Sequence, residues 1–177
     1  PYPVVDLSGY YVLPGIIDLH GDAFERHISP RPTAPFPIAM GLRSVDREAA
    51  ANGVTTAWLA QSWSWEGGQR GTDFAETVMA TMATYRSTAL TDLRLQIRYE
   101  THAIDTAERM LAAVRRFGID YVVFNNHLDE AINLWAVRPH EVTAWAKRGG
   151  RSGEELMDIV QAAKARSRDV PRSLCKL

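Results

Sequence analysis

Residues 12–22 read Val12-Leu13-Pro14-Gly15-Ile16-Ile17-Asp18-Leu19-His20-Gly21-Asp22. An apolar run that ends in polar, titratable groups predicts a buried-type β-strand over Val12–His20, with its chemistry at the carboxyl end. Three later stretches repeat the pattern: Thr55–Gln61, Leu93–Glu100 and Tyr121–Asn126. Helical spacing fills the intervals. Ser44–Asn52 reads as a helix with Ser44 as N-cap and Gly53 just past its end. A second helix runs from Thr72 or Asp73 to about Arg86, with apolar positions at Phe74, Val78, Met82 and Tyr85. A third covers Thr106–Phe117 and stops at Gly118. After the fourth strand the pattern turns helical, over Arg138–Lys147 and Ser152–Ala165, where Ser152 and Glu155 make a capping-box signature. The loop-rich stretch is Ser29–Pro37, with prolines at 30, 32, 35 and 37. Strands alternating with helices imply βαβ units and a parallel sheet, so the fold class is α/β.

Composition narrows the function classes. The chain has 177 residues, 46% hydrophobic and 23% charged, which excludes a disordered chain, a collagen-like repeat and a charge-driven tail. The net charge of −1 gives no electrostatic footprint for nucleic acid, although the basic residues are lopsided at 17 Arg to 3 Lys. A lone Cys175 rules out an internal disulfide and a cysteine-based zinc cluster. It reads as a small core residue and fits a reducing, cytoplasmic compartment. No apolar run approaches the ~20 residues of a membrane span. Neither a dinucleotide glycine fingerprint nor a P-loop follows a strand.

Functional groups of parallel α/β folds collect at the carboxyl ends of the strands. Those ends read His20-Gly21-Asp22, Gln61-Ser62, Glu100-Thr101-His102 and Asn125-Asn126-His127. Imidazole with carboxylate suits zinc, manganese or iron. The His-x-Asp spacing predicts both side chains on one side of an extended backbone, and a glutamate and a histidine from later strands complete a site. Other polar groups have plainer readings. Asp18 reads as a buried hydrogen-bonding carboxylate, His102 as a structural polar residue preceding a helix, and His140 as solvent-facing. Trp63 and Trp65 flank Ser64 in a loop. His27 is open between a structural role and a substrate contact.

These residues resemble the amidohydrolase superfamily, whose first barrel strand looks like Val12–His20, usually followed by His-x-His where this chain has His20-Gly21-Asp22. The run from His20 to Pro32, with Gly53-Val54-Thr55-Thr56, Arg98-Tyr99-Glu100 and Asn125-Asn126-His127-Leu128, resembles its phosphonate-metabolism branch, the diphosphatases of the carbon–phosphorus lyase pathway. The resemblance implies a metal-dependent (β/α)8 TIM-type barrel of ~250 residues. Four strands make only its N-terminal half, incomplete in this chain. Residues 1–14 would lead from a small N-terminal β-domain into the barrel, and residues 15–177 would form its first half.

The resemblance also implies the site. His20, Asp22, Glu100 and His127 would be metal ligands, with Glu100 where many relatives carry a bridging carboxylated lysine. The cofactor would be a divalent metal, zinc, binuclear when complete. Two cations bridged by Glu100 would make hydroxide near neutral pH from a bound water. Attack on the triphosphate of alpha-D-ribose 1-methylphosphonate 5-triphosphate would give the 5-phosphate and pyrophosphate. His27 and Arg31 are the substrate-binding candidates for the phosphates of this ribosyl phosphonate. The expected catalytic base falls outside the chain, and the fragment alone is expected to be inactive. His127 is followed by Leu128-Asp129 where many members have Ser or Thr, then Pro-Gly. The alternatives are a related enzyme acting on a cyclic amide, as dihydroorotases do, and a non-catalytic fragment or assembly component. No nucleic-acid or membrane partner is expected; a homo-oligomer or a C-terminal half is.

Overall fold

A computed structural model describes residues 2–31 and 34–177; Pro1, Pro32 and Thr33, and with them part of the Pro30-Arg31-Pro32 motif, lie outside the described residues. The elements are β1 (Ile16–Gly21), α1 (Phe24–Ile28), α2 (Ile38–Ala51), β2 (Val54–Trp63), α3 (Thr72–Tyr85), β3 (Asp92–Glu100), α4 (Ala107–Phe117), β4 (Tyr121–Asn125), α5 (Leu128–Val137), α6 (Pro139–Ala146), α7 (Gly153–Ala165) and α8 (Val170–Leu174). The strands form one sheet in the order β1-β2-β3-β4, every pair parallel. The sheet is curled, in the manner of half a barrel. Among the described residues no helix is long and apolar enough to cross a membrane.

Strand alternation sorts β3 into two faces. Leu93, Leu95, Ile97 and Tyr99 are buried in the main core with Phe24 and Ile28 of α1, Leu42 of α2, Val78, Met79 and Met82 of α3, and Met110 of α4. Asp92, Arg94, Gln96, Arg98 and Glu100 occupy the other face. That face is polar, and two of its buried atoms, Gln96 Oε1 and Arg98 Nε, have no hydrogen-bond partner among the described residues. A second core lies among α5, α6 and α7, around Leu128, Ala131, Val142, Leu156 and Val160, with Trp65, Trp135 and Trp145 against it.

Several expectations are met where local chemistry is strong. The Ser152–Glu155 capping box forms in both directions. Gly118 ends α4 in the left-handed conformation, with φ +63. Gly53 follows α2 with φ +75.

Other expectations need correcting. The first strand begins at Ile16, not Val12; Pro14 carries no N–H for a ladder, and the first ladder bond is Ile16 N–H to the Gly53 carbonyl, 2.9 Å. Helix α2 begins at Ile38, so Ser44 is inside it and caps nothing. Gly41 is accommodated there because α1 passes so close that a Cβ would stand 2.6 Å from Ile28 Cγ1. Helices α1 and α5 went unpredicted. Trp63 closes β2 inside the core, not in a loop. Cys175 is exposed, because it follows the last turn of α8 on the surface.

Candidate functional site

The carboxyl ends of β3 and β4 bring two predicted donors together. Glu100 is the last residue of β3 and is buried. Its register partner is Asn125, and Thr101 N–H bonds to the Asn125 carbonyl at 2.9 Å, which holds the two strand ends level. The chain leaving β4 then turns into α5 at His127. Glu100 Oε2 accepts the His127 backbone N–H at 3.2 Å, and Glu100 Oε1 pairs with His127 Nδ1. Hydrogen bonding to Glu100 raises the His127 pKa above the usual imidazole range, against the opposing effect of burial. With Nδ1 turned to the carboxylate, Nε2 is the nitrogen left for a metal or for a proton of water or substrate.

The other predicted donors stand apart from this pair. His20 is exposed at the end of β1, and Asp22 is exposed in the turn after it. Their expected alignment on an extended strand is not kept. The register of β1 on β2 shifts between Asp18 and Gly21, and Asp22 N–H bonds back to the His20 carbonyl at 3.0 Å. That turn breaks the two-residue repeat on which the alignment depends. Asp18 is spent locally: its Oδ1 accepts the His20 N–H at 2.9 Å. Among the described residues no group of three or more His, Cys, Asp or Glu side chains is gathered to hold a metal ion. The donor chemistry of Glu100 and His127 suits a divalent cation, but the four predicted ligands do not make a metal cage in this arrangement.

The remaining candidates divide. His27 has both ring nitrogens on α2, with Nδ1 3.0 Å from Ser44 Oγ and Nε2 2.9 Å from Glu48. This places it in the packing of α1 on α2, not on a phosphate. Arg31 is exposed and lines a cleft with Arg26, Arg70 and Arg148. His102 is held between Thr101 Oγ1, 3.3 Å, and Ser167 Oγ, 3.1 Å, and burial pulls its pKa down. Gln61 donates to the Ser62 and Gln69 carbonyls, at 2.8 and 3.0 Å, and so braces the β2–α3 loop. His140 is exposed, as expected.

Sequence reasoning missed Glu66. It is buried in the β2–α3 loop, where its carboxylate accepts Ser64 Oγ–H at 3.1 Å, Arg70 Nη1–H at 3.3 Å and the indole N–H of Trp145. Its backbone carbonyl accepts from Arg151. Arg70 also reaches Glu25 at 3.5 Å. Burial alone would lower the Arg70 pKa; Glu66 and Glu25 outweigh it and raise it. The sequence signal was slight: one carboxylate after Trp63-Ser64-Trp65 and before Gly67-Gly68, where a loop rich in aromatic and glycine residues can close over a charge.

No family model matches the chain, and no solved structure does. A stretch of 52 residues is 36% identical to the alpha-D-ribose 1-methylphosphonate 5-triphosphate diphosphatase of Escherichia coli (strain K12). That stretch is 29% of this chain and spans only 14% of the length of that enzyme.

Proposed function

We propose that this chain is part of a hydrolase of phosphoric anhydrides in phosphonate catabolism, cleaving a ribosyl phosphonate 5-triphosphate to the 5-phosphate and pyrophosphate. The observation that carries the reading is the Glu100–His127 pair, an imidazole and a buried carboxylate joined at the carboxyl ends of adjacent parallel strands. Support comes from the similarity of part of the chain to a diphosphatase of that substrate. The polar face of β3 leading up to Glu100 supports it further, since a catalytic face needs hydrogen-bonding groups where a packed core does not. A divalent cation, zinc, is the proposed cofactor, with Glu100 and His127 as its donors on this half of the site and His20 and Asp22 joining only if the β1 turn rearranges.

The test is release of pyrophosphate from the ribosyl phosphonate triphosphate by the full-length protein loaded with zinc. Turnover abolished by a chelator and restored by zinc is the expected result. No release above the metal-free control, or turnover of a cyclic amide with none of the triphosphate, overturns the reading.

A further inference from the structure

A cleft of about 600 Å³ opens between three separate segments of the chain. Arg26 and Arg31 enter it from α1 and the loop that follows, Arg70 from the β2–α3 loop, and Lys147 and Arg148 from the turn after α6. Its two carboxylates, Glu25 and Glu66, both bond to Arg70, at 3.5 and 3.3 Å. Arg70 is therefore a neutralised pillar. The other four cations have no ion-pair partner among the described residues. Some exposed arginines elsewhere are paired, as Arg109 is with Asp73 and Glu76, Arg138 with Glu141 and Arg166 with Asp105, at 2.6 to 2.9 Å; Arg43 and Arg47 of α2 are not, and what sets the cleft apart is that four such cations line one concavity.

The cleft is held by its backbone. Gly68 has φ +55, and a Cβ there would stand 2.4 Å from the Arg148 carbonyl oxygen; a Cβ on Gly149 would stand 2.4 Å from the Glu66 carbonyl oxygen. The two loops thus touch at a spacing only glycine allows, which fixes Arg70 beside Lys147 and Arg148. On the opposite wall the loop carrying Arg31 is closed by Phe36 N–H to the Ile28 carbonyl, 2.7 Å, and by Ser29 Oγ–H and Ala34 N–H to the Arg31 carbonyl, both 3.1 Å.

We propose that this cleft binds a short oligophosphate, seating its linked phosphates between Arg26 and Arg31 on one wall and Lys147 and Arg148 on the other. Five cations against two carboxylates leave the cleft three positive charges in excess, more than one phosphate neutralises, and three of the four cations without an ion-pair partner are guanidinium forks that match phosphate oxygens two at a time. The concave shape and the near-neutral chain favour a small molecule over the face of a nucleic acid. The identity of the ligand as a ribosyl triphosphate rests on the hydrolase reading above; the anion chemistry rests on the cleft alone.

The experiment is calorimetric titration of inorganic tripolyphosphate into the chain at low salt. Saturable one-to-one binding is expected, weaker for orthophosphate. The double variant Arg31→Ala/Arg148→Ala should lose about tenfold to a hundredfold in affinity, the scale of lost charged hydrogen bonds. The double variant Arg43→Ala/Arg47→Ala removes the same charge from exposed positions on α2 and should bind as the unaltered chain does. Circular dichroism checks that both variants fold. No saturable binding, or equal losses in the two double variants, overturns the proposal. Tripolyphosphate binding in the cleft without pyrophosphate release by the full-length protein overturns the hydrolase reading and leaves the cleft standing.

Discussion

The indole N–H of Trp145 on α6 donates to the buried carboxylate of Glu66 in the β2–α3 loop, 79 residues earlier. This bond ties the β2–α3 loop to the α5–α7 core, against which Trp145 packs. Glu66→Ala removes the acceptor for Trp145, Ser64 and Arg70 at once. We expect a loss of about 3–5 kcal/mol, the scale of a broken buried pair, in urea denaturation. Hydrogen exchange should quicken in α5–α7 before it quickens in β2 and β3. Uniform loss of protection across both cores would show that Glu66 does not tie the loop to α5–α7.

A second buried carboxylate gives a pH dependence. Asp46 of α2 accepts Tyr85 O–H, Leu90 N–H, Thr91 N–H and Thr91 Oγ1–H at 2.6 to 3.0 Å. Burial on its own raises its pKa, but these four bonds outweigh it and hold the carboxyl below the usual range. A carboxyl depressed in the folded state stabilises fully above its unfolded pKa, and the contribution is lost as pH falls through the lowered value. Asp46→Asn should therefore cost about 2 kcal/mol at pH 7 and flatten the decline of stability from pH 7 to pH 3. Burial and then Asp46 push the Tyr85 phenol up to about 12, so the same variant should lower its spectrophotometric titration. Parallel stability curves for the two proteins would contradict this assignment.

On the hydrolase reading proposed above, Glu100 and His127 are expected to act as one unit in the full-length protein. Glu100→Gln and His127→Asn should each lower pyrophosphate release by ~100-fold or more, since each removes a proposed donor to the cation and losing even an outer partner of a metal site costs ~10–100-fold. The double variant should lose little beyond either single one, because partners in one function are strongly non-additive. Fully multiplicative losses in turnover would mean that the two act separately.

Glycines with positive φ separate two kinds of strain. Gly118 has open space around a Cβ, so Gly118→Ala should cost about 1–2 kcal/mol from backbone conformation alone. Gly68→Ala meets both the positive φ and the Arg148 carbonyl. It should cost about 2–4 kcal/mol and weaken tripolyphosphate binding, whereas Gly118→Ala leaves binding unchanged. Melting curves and the same titration check both.

The parallel strands and the capped helices were legible because their signals are local. Ser152 reads Glu155 three residues away, and β3 alternates Leu93, Leu95, Ile97 and Tyr99 with polar residues along one continuous run. What escaped was set by distant partners. Ser44 resembles an N-cap until the bond of its hydroxyl to His27 is seen, and His27 resembles a substrate contact until Glu48 takes its other nitrogen. Glu66 becomes a buried hub only when Trp145 arrives from α6. The Glu100–His127 meeting could be inferred from strand ends alone, since parallel neighbours end side by side; the separation of His20 and Asp22 could not, because one register shift in β1 decides it.

Among the described residues, each strand of this sheet pairs with the strand immediately before or after it in the chain. A sheet so ordered can grow while the polypeptide is still being synthesised: β2 finds β1 already exposed, and β3 finds β2. Loop closure at each step spans one βα unit and no more, which keeps its entropic cost small. The order of the strands thus permits the same order of assembly, with β3 emerging ahead of His127, which its Glu100 meets.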